Sequence, residues 1–164
     1  MHGWDQKWTP PPENIFKINV DAVVSMRDQR AAFGVVIKDS RSNTVAAGIN
    51  QVQLTGNVSW AEAEAVQWSI KVAREAALHS VIIETDCLEV AELINNTNGN
   101  RTEIFWTISG IRNQMKYFQK VAVQHVCRNC NANAHSLAKF ALRKNTPPVS
   151  LKPIPEVQSV IDVL

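Results

Sequence analysis

Asp21 ends an alternating run, IFKINVDAVV, in which Phe16, Ile18 and Val20 interleave with Lys17, Asn19 and Asp21. A period of two predicts a strand, and strands disfavour Asp. An ionised carboxylate in a central strand is costly unless it is paired or ligates a metal; Lys17 and Asn19, on the same face, are the structural partners within reach. Glu62 and Glu64 open a longer run with helical spacing. At about 100° per residue Glu62 falls with Val66, Ser69 and Ala73 on the inward face, and Glu64 with Lys71 and Glu75 on the outward one. The alternative use of Glu62 is structural, because SWAE reads as a capping box with Ser59 as N-cap. Asp86 follows the apolar VIIE and opens the next helix. It is either an N-cap, with Glu89 three residues on, or a group at the carboxyl end of a strand, where α/β sheets place their sites. His135 lies at the shoulder of the apolar face of the last helix, a position that suits a packed, hydrogen-bonded side chain as well as a ligand. Together the three carboxylates suit a hard divalent cation, which takes oxygen ligands. Two such ions about 4 Å apart can activate water and stabilise the leaving oxygen of a phosphodiester.

A second constellation lies in HVCRNCNANAHSLA, where His125, Cys127, Cys130 and His135 have the spacing of a zinc cage. Closing them on one ion would require breaking both a strand ending near His125 and a helix containing His135, and a metal site needs ligand geometry as well as spacing. The periodicity favours the strand and the helix, with the cysteines as ordinary buried or turn residues.

The elements that must position these groups follow from the periods. IFKINVDAVV, AAFGVVIKDS and NTVAAGINQVQL are three consecutive strands with short turns, one of them over Asp39–Asn43, and so an antiparallel meander. The apolar spacing from Ser59 to Leu78 predicts a helix. VIIE is a short buried strand, DCLEVAELINN a helix, and EIFWTISGIRNQMKYF a helix with Ile104, Ile108, Ile111, Met115 and Phe118 on one stripe. KVAVQHV is a strand and NANAHSLAKFALRK a helix with Ala134, Leu137, Ala138 and Ala141 on one face. The order β-β-β-α-β-α-α-β-α implies an α/β fold with a five-stranded mixed sheet, a meander of three strands plus two, and helices on both faces. Proline runs bound this body. Residues 1–13 read as a flexible Pro-rich arm, 14–144 as the folded domain, and 145–164 as a Pro-rich tail in which VQSVIDVL could form a short helix.

Composition narrows the function classes. A chain of 164 residues with 45% hydrophobic and 20% charged residues is that of one globular domain. A formal net charge of +2 excludes a global basic field, so any nucleic-acid surface is local. Three cysteines do not pair into a disulfide framework. No signal-like apolar region follows Met1 and no run spans a bilayer. The expected location is intracellular, nucleus or cytoplasm undistinguished, without membrane attachment. Asn57, Asn95 and Asn100 start Asn-x-Ser/Thr triplets that this setting makes fortuitous.

The pieces WTPPPENIFKINVDA, AEAEAV, VIIETD and HVCRNCNANAHSLAKFA occur in that order between about Trp8 and Leu142. In these the chain resembles the ribonuclease H domain in the form found in plant retrotransposon polyproteins, of reverse-transcriptase-like type. The resemblance implies a ribonuclease H-like fold, a D-E-D-D set holding two Mg²⁺ ions, and hydrolysis of the RNA strand of RNA–DNA hybrids; the expected state of the chain is a monomer. By position Asp21, Glu62 and Asp86 match the first three carboxylates. The fourth belongs in R-x-x-N-x-x-A-D-x-L-A, and here the segment from Arg128 places His135 at the Asp position. Ala22 stands where the family often has Gly. His135 is thus the expected fourth catalytic and metal-binding group, with one negative charge fewer and a nitrogen less suited to Mg²⁺ than to Mn²⁺. A cationic His could still donate a proton to a leaving group. The expectation is weakened, Mn²⁺-preferring cleavage; the alternative is a degenerate copy that binds nucleic acid or a protein without cutting. Asn19, Ser59, Arg128 and Asn131 are the candidate substrate-binding residues, reading the 2′-OH groups and phosphates of an A-form-like strand. Trp60 and Trp68 are expected to pack rather than stack on bases, and Lys139, Arg143 and Lys144 form a basic helix end.

Overall fold

The computed structural model describes residues 7–96 and 103–144. Five strands form one sheet: β1 (Phe16–Ser25), β2 (Arg30–Lys38), β3 (Thr44–Gln53), β4 (Ser80–Thr85) and β5 (Lys120–His125). Four helices accompany them: α1 (Val58–Glu75), α2 (Leu88–Asn95), α3 (Phe105–Met115) and α4 (Ala132–Arg143). The expected element order therefore holds throughout. One short piece was not anticipated, a 3₁₀ turn over Arg128–Asn131 that leads into α4.

Strand order is β3-β2-β1-β4-β5. β1, β2 and β3 pair antiparallel as the meander requires, whereas β1–β4 and β4–β5 pair parallel. A parallel neighbour needs a crossover element, and α1 supplies it from β3 back over β1 to β4. The carboxylate-bearing strand is thus central, with β2 on one side and β4 on the other.

The alternation read in β1 sorts its side chains. Ile18, Val20 and Ala22 join the larger core with Ala61, Ala65, Val66 and Ile70 of α1 and Ile104, Ile108 and Ile111 on and before α3. Trp60 and Trp68 pack on the rim of that core. On the other face, Ala32, Val36, Ala47 and Ile49 of β2 and β3 close a smaller core with Leu137, Phe140 and Ala141 of α4. Helices therefore cover both faces. Gly34 decides how close α4 can come: a Cβ there would sit 2.4 Å from the Ala134 carbonyl oxygen and 2.7 Å from the Ala138 nitrogen. The absence of that carbon lets the helix backbone lie directly on β2.

The proline-rich arm is fastened where it is described. The Trp8 indole N–H donates to Asn19 Oδ1 at 2.9 Å, and Lys17 Nζ donates to the Thr9 carbonyl at 2.6 Å. The ammonium groups of Lys17 and Lys38 lie 5.3 and 5.0 Å from the Trp8 ring centre, within cation–π range. The stretch 7–13 has no helix or strand, as three prolines dictate, but it is not a loose arm. Residues 1–6 of the arm, the tail from 145 with VQSVIDVL, and Asn100 lie outside the described residues.

Candidate active site

The register of β1 on β4 brings Asp21 and Asp86 together. Asn19 is opposite Glu84, so Asp21 and Asp86 both stand two residues further on, past the carboxyl end of β4, on neighbouring parallel chains. Adjacent strands are about 4.8 Å apart, which places the two side chains within reach of one another. Glu62 joins them from the first turns of α1. One ligand oxygen from each of Asp21, Glu62 and Asp86 lies within 4.8 Å of the others, the donor separation a divalent cation needs.

Each structural use weighed for these residues is taken by a different group. α1 is capped by Asn57, whose side chain accepts from the Trp60 amide at 2.8 Å. Ser59 is therefore inside the helix, not its cap, and Glu62 makes no capping box; its carboxyl is buried against the body. The Ser59 hydroxyl donates instead to Glu89 of α2. α2 has Cys87 as N-cap, with no side-chain cap bond, and the Cys87 amide donates to Thr85 Oγ1. Asp86 is not a cap either. Its Oδ2 is buried with no hydrogen-bond donor; Arg128 Nε is 3.7 Å away, in ion-pair range but beyond a hydrogen bond. Lys17 and Asn19 do not serve Asp21. Lys17 pairs with Glu84 at 3.3 Å, and Asn19 Nδ2 donates to Glu84, to the Cys130 carbonyl and to Asn131.

The partner of Asp21 is His135, with Nδ1 2.6 Å from Asp21 Oδ2. α4 thus delivers His135 to the same place as the carboxylates. It meets them through Asp21 and is not one of the three-oxygen group. The imidazole is a quarter exposed while the Asp21 carboxyl is almost wholly enclosed.

Crowding of buried negative charge shows in the acidities. Burial first, and then the neighbouring Asp86 charge, pushes Asp21 from 3.8 up to about 6, against the opposing pull of His135. Burial, followed by the charges of Asp21 and Asp86, pushes Glu62 from 4.5 up to about 10. The cluster is therefore short of positive charge, and a proton or a cation between the carboxylates relieves it. A folded-state acidity raised above the unfolded value stabilises the fold at low pH, and that contribution is lost as pH rises through the folded value. With a chelator present, melting temperature is expected to fall by several degrees from pH 4.5 through pH 6 and on toward pH 9. A divalent cation should restore it most at the alkaline end. A chelated protein with a flat profile over that range would contradict the crowding.

The candidate substrate-binding residues divide. Arg128 is exposed at the rim of the carboxylate cluster. Asn131 is completely buried, and it donates to the Val20 carbonyl at 2.8 Å and accepts from Asn19. Asn19 is buried with every polar atom engaged. Burial removes both from direct contact with a ligand and makes them the clasp between β1 and the start of α4. Ser59 is half-buried and committed to Glu89. Sequence reasoning missed Glu84, a fully enclosed carboxylate held by Lys17, Asn19 and Gln124. The signal was present in the polar half of the β1 alternation, which needs a buried polar partner on the next strand.

The zinc cage does not form. His125 is exposed at the end of β5 and His135 is turned to Asp21, and no group of three ligands including the cysteines occurs among the described residues. No helix among the described residues is long and apolar enough to cross a membrane.

Residues 19–141 match the reverse transcriptase-like family. No curated protein matches the chain in sequence. Among solved structures, ribonuclease H1 from the halophilic archaeon Halobacterium salinarum superposes with a TM-score of 0.73 at 20% identity, over 79% of this chain and 98% of that one. LC11 ribonuclease H1, solved with an RNA/DNA hybrid, gives 0.68 at 20% identity, over 77% and 99%. The foamy viral protease–reverse transcriptase, also solved with an RNA/DNA hybrid, gives 0.61 at 18% identity, over 83% of this chain and 21% of that larger one.

Proposed function

Because the chain belongs to the reverse transcriptase-like family and has the ribonuclease H fold, we propose that it is a divalent-metal-dependent endonuclease hydrolysing the RNA strand of RNA–DNA hybrids. The observation that carries this reading is the meeting of Asp21, Glu62 and Asp86 from three separate elements, with one Asp86 oxygen enclosed and lacking a donor. An acidic residue left that way by folding is explained by a cation.

Hard oxygen donors fit Mg²⁺ and Mn²⁺, and Asp21, Glu62 and Asp86 are the residues that would hold one or two ions. When bound, such an ion supplies the charge that activates water and stabilises the leaving oxygen of a phosphodiester. The protein's own part is positional. The clasp of Asn131 on Val20 and Asn19 sets the height of β1, and so of Asp21. His135 Nδ1 fixes the orientation of the Asp21 carboxylate, leaving Nε2 as an atom able to hand a proton to a departing oxygen. Arg128, at the exposed rim, offers a cation to a substrate phosphate.

The test is cleavage of an RNA–DNA hybrid, labelled separately on each strand, by the full chain in Mg²⁺ and in Mn²⁺. RNA-strand products that disappear with chelator are expected, with Mn²⁺ the better ion. The absence of both products and a cation-induced rise in melting temperature would sink the proposal.

One observation favours a second reading, a domain that binds hybrid and cuts poorly: an imidazole, that of His135, rather than another carboxylate is bonded to Asp21. His135→Asp separates the two. It should raise the Mg²⁺-supported rate by about tenfold, about 1.4 kcal/mol of barrier. It should also lower the melting temperature of the chelated protein by adding a fourth buried negative charge. An unchanged rate together with intact cation binding would mean that His135 is not the cause of weak cleavage.

A further inference from the structure

The segment CRNC before α4 holds a pair of thiols that the metal site does not use. Cys127 precedes the 3₁₀ turn and Cys130 lies within it, and their sulfurs are 3.6 Å apart. Both are reduced, and so is Cys87, which lies elsewhere, before α2. The backbone already holds the turn closed, with the Cys130 amide donating to the Cys127 carbonyl at 3.1 Å. A disulfide requires the sulfurs to approach to about 2.05 Å, a contraction that side-chain rotation can supply where the backbone is already closed.

We propose that Cys127 and Cys130 form a reversible intramolecular disulfide by exchange with low-molecular-weight disulfides. The two sulfurs have different roles. Cys127 is half-exposed, and the Cys130 backbone amide beside it holds its thiol below the usual range. Cys130 is enclosed, and burial pushes its thiol up to about 11. An accessible thiolate attacks first and the protected neighbour resolves. In the first step the Cys127 thiolate bonds to one sulfur of the disulfide RSSR, whose S–S bond breaks to release RS⁻. In the second step Cys130 loses its proton to solvent and attacks the Cys127 sulfur. The protein disulfide forms, the mixed disulfide breaks, and a second RS⁻ leaves. Both thiolates take up protons, so RSSR is reduced by two electrons to two RSH and the cysteine pair is oxidised by two.

The bond would fasten a turn that is tied to the site. The Cys130 carbonyl accepts from Asn19, and the next residue, Asn131, donates to the Val20 carbonyl. The same turn starts the helix that carries His135 to Asp21. The chemistry itself is independent of hybrid cleavage, so its test stands whatever the domain cuts.

The experiment treats the full chain with oxidised glutathione, then reads intact mass, thiol count and the cysteine peptides. Wild type should lose two hydrogens and two titratable thiols, with Cys127 linked to Cys130 and Cys87 still reactive. Dithiothreitol should reverse the change. Cys130→Ser should stop at a glutathione adduct on Cys127, and Cys127→Ser should form no intramolecular bond. Circular dichroism checks that each variant is folded, and the wild-type peptide map decides the matter if one is not. A wild-type product that stops at the Cys127 adduct, or a bond involving Cys87, would overturn the proposal. So would a stoichiometric zinc ion released from the reduced protein when the two thiols are alkylated.

Discussion

Asp21→Asn is expected to abolish divalent-cation-dependent cleavage, by about a thousandfold or more, which is about 4 kcal/mol of barrier. The substitution keeps size and one acceptor oxygen but removes the charge at the centre of the cluster. Asp21 is the residue that every other group in the site touches or repels: His135 bonds to it, and it raises the acidity value of Glu62. Two further readouts distinguish loss of a ligand from loss of the fold. The melting temperature of the chelated variant should exceed that of wild type above pH 6, because one buried repulsion is gone and the remaining Glu62 charge is less opposed. The rise in melting temperature on adding Mn²⁺ should shrink. Cleavage retained at the wild-type level would show that the activity belongs to a contaminant or to another site.

The second large effect is one of packing. Gly34→Ala should destabilise the domain by about 2–3 kcal/mol, the usual cost of overfilling a close-packed contact. The three atoms nearest the added carbon are the Ala134 carbonyl, the Ala138 nitrogen and Leu137 Cβ, the last at 2.8 Å. None is the movable end of a side chain, so α4 must back away as a unit. Gly34 is paired with Asp21 across the sheet, so the retreat of α4 draws His135 from Asp21 at the same level. Denaturant unfolding should report the loss of stability, and the pH profile of the chelated protein should show Asp21 freed from His135. Unchanged stability would mean that the helix does not rest on the backbone of β2. Because the carboxylates come from β1, α1 and the end of β4, cation binding should survive in the fraction that remains folded.

Much of this arrangement was legible in the sequence. Side chains on a strand alternate by necessity, so Lys17, Asn19 and Asp21 had to share a face. Helical spacing had to turn Glu62 inward, whereas Glu64, expected to face outward, is half-buried and accepts from Thr107 of α3. The position of Asp86 after an apolar strand was equally plain. Its use was not, because an N-cap and a site carboxylate look the same in one dimension. The choice depended on Asn57 and Thr85, whose side chains take the local amides and leave Glu62 and Asp86 to the cluster. Asn131 presents the opposite case. An Asn in a polar segment reads as surface, yet this one is enclosed because its amide bridges to a strand more than a hundred residues earlier.

Local periodicity, then, determined the strands, the helices, their order and the faces on which the three carboxylates lie, since those follow from backbone geometry that each short segment carries by itself. Only the tertiary structure decided which groups meet. The parallel register of β1 on β4 sets Asp21 beside Asp86. The glycine at position 34 lets α4 close enough for His135 to reach Asp21. The 3₁₀ turn brings Cys127 to Cys130 and sends Asn131 inward. These contacts join segments far apart in the chain, and their energies come from burial and charge crowding that exist only once the sheet and both helical layers are assembled.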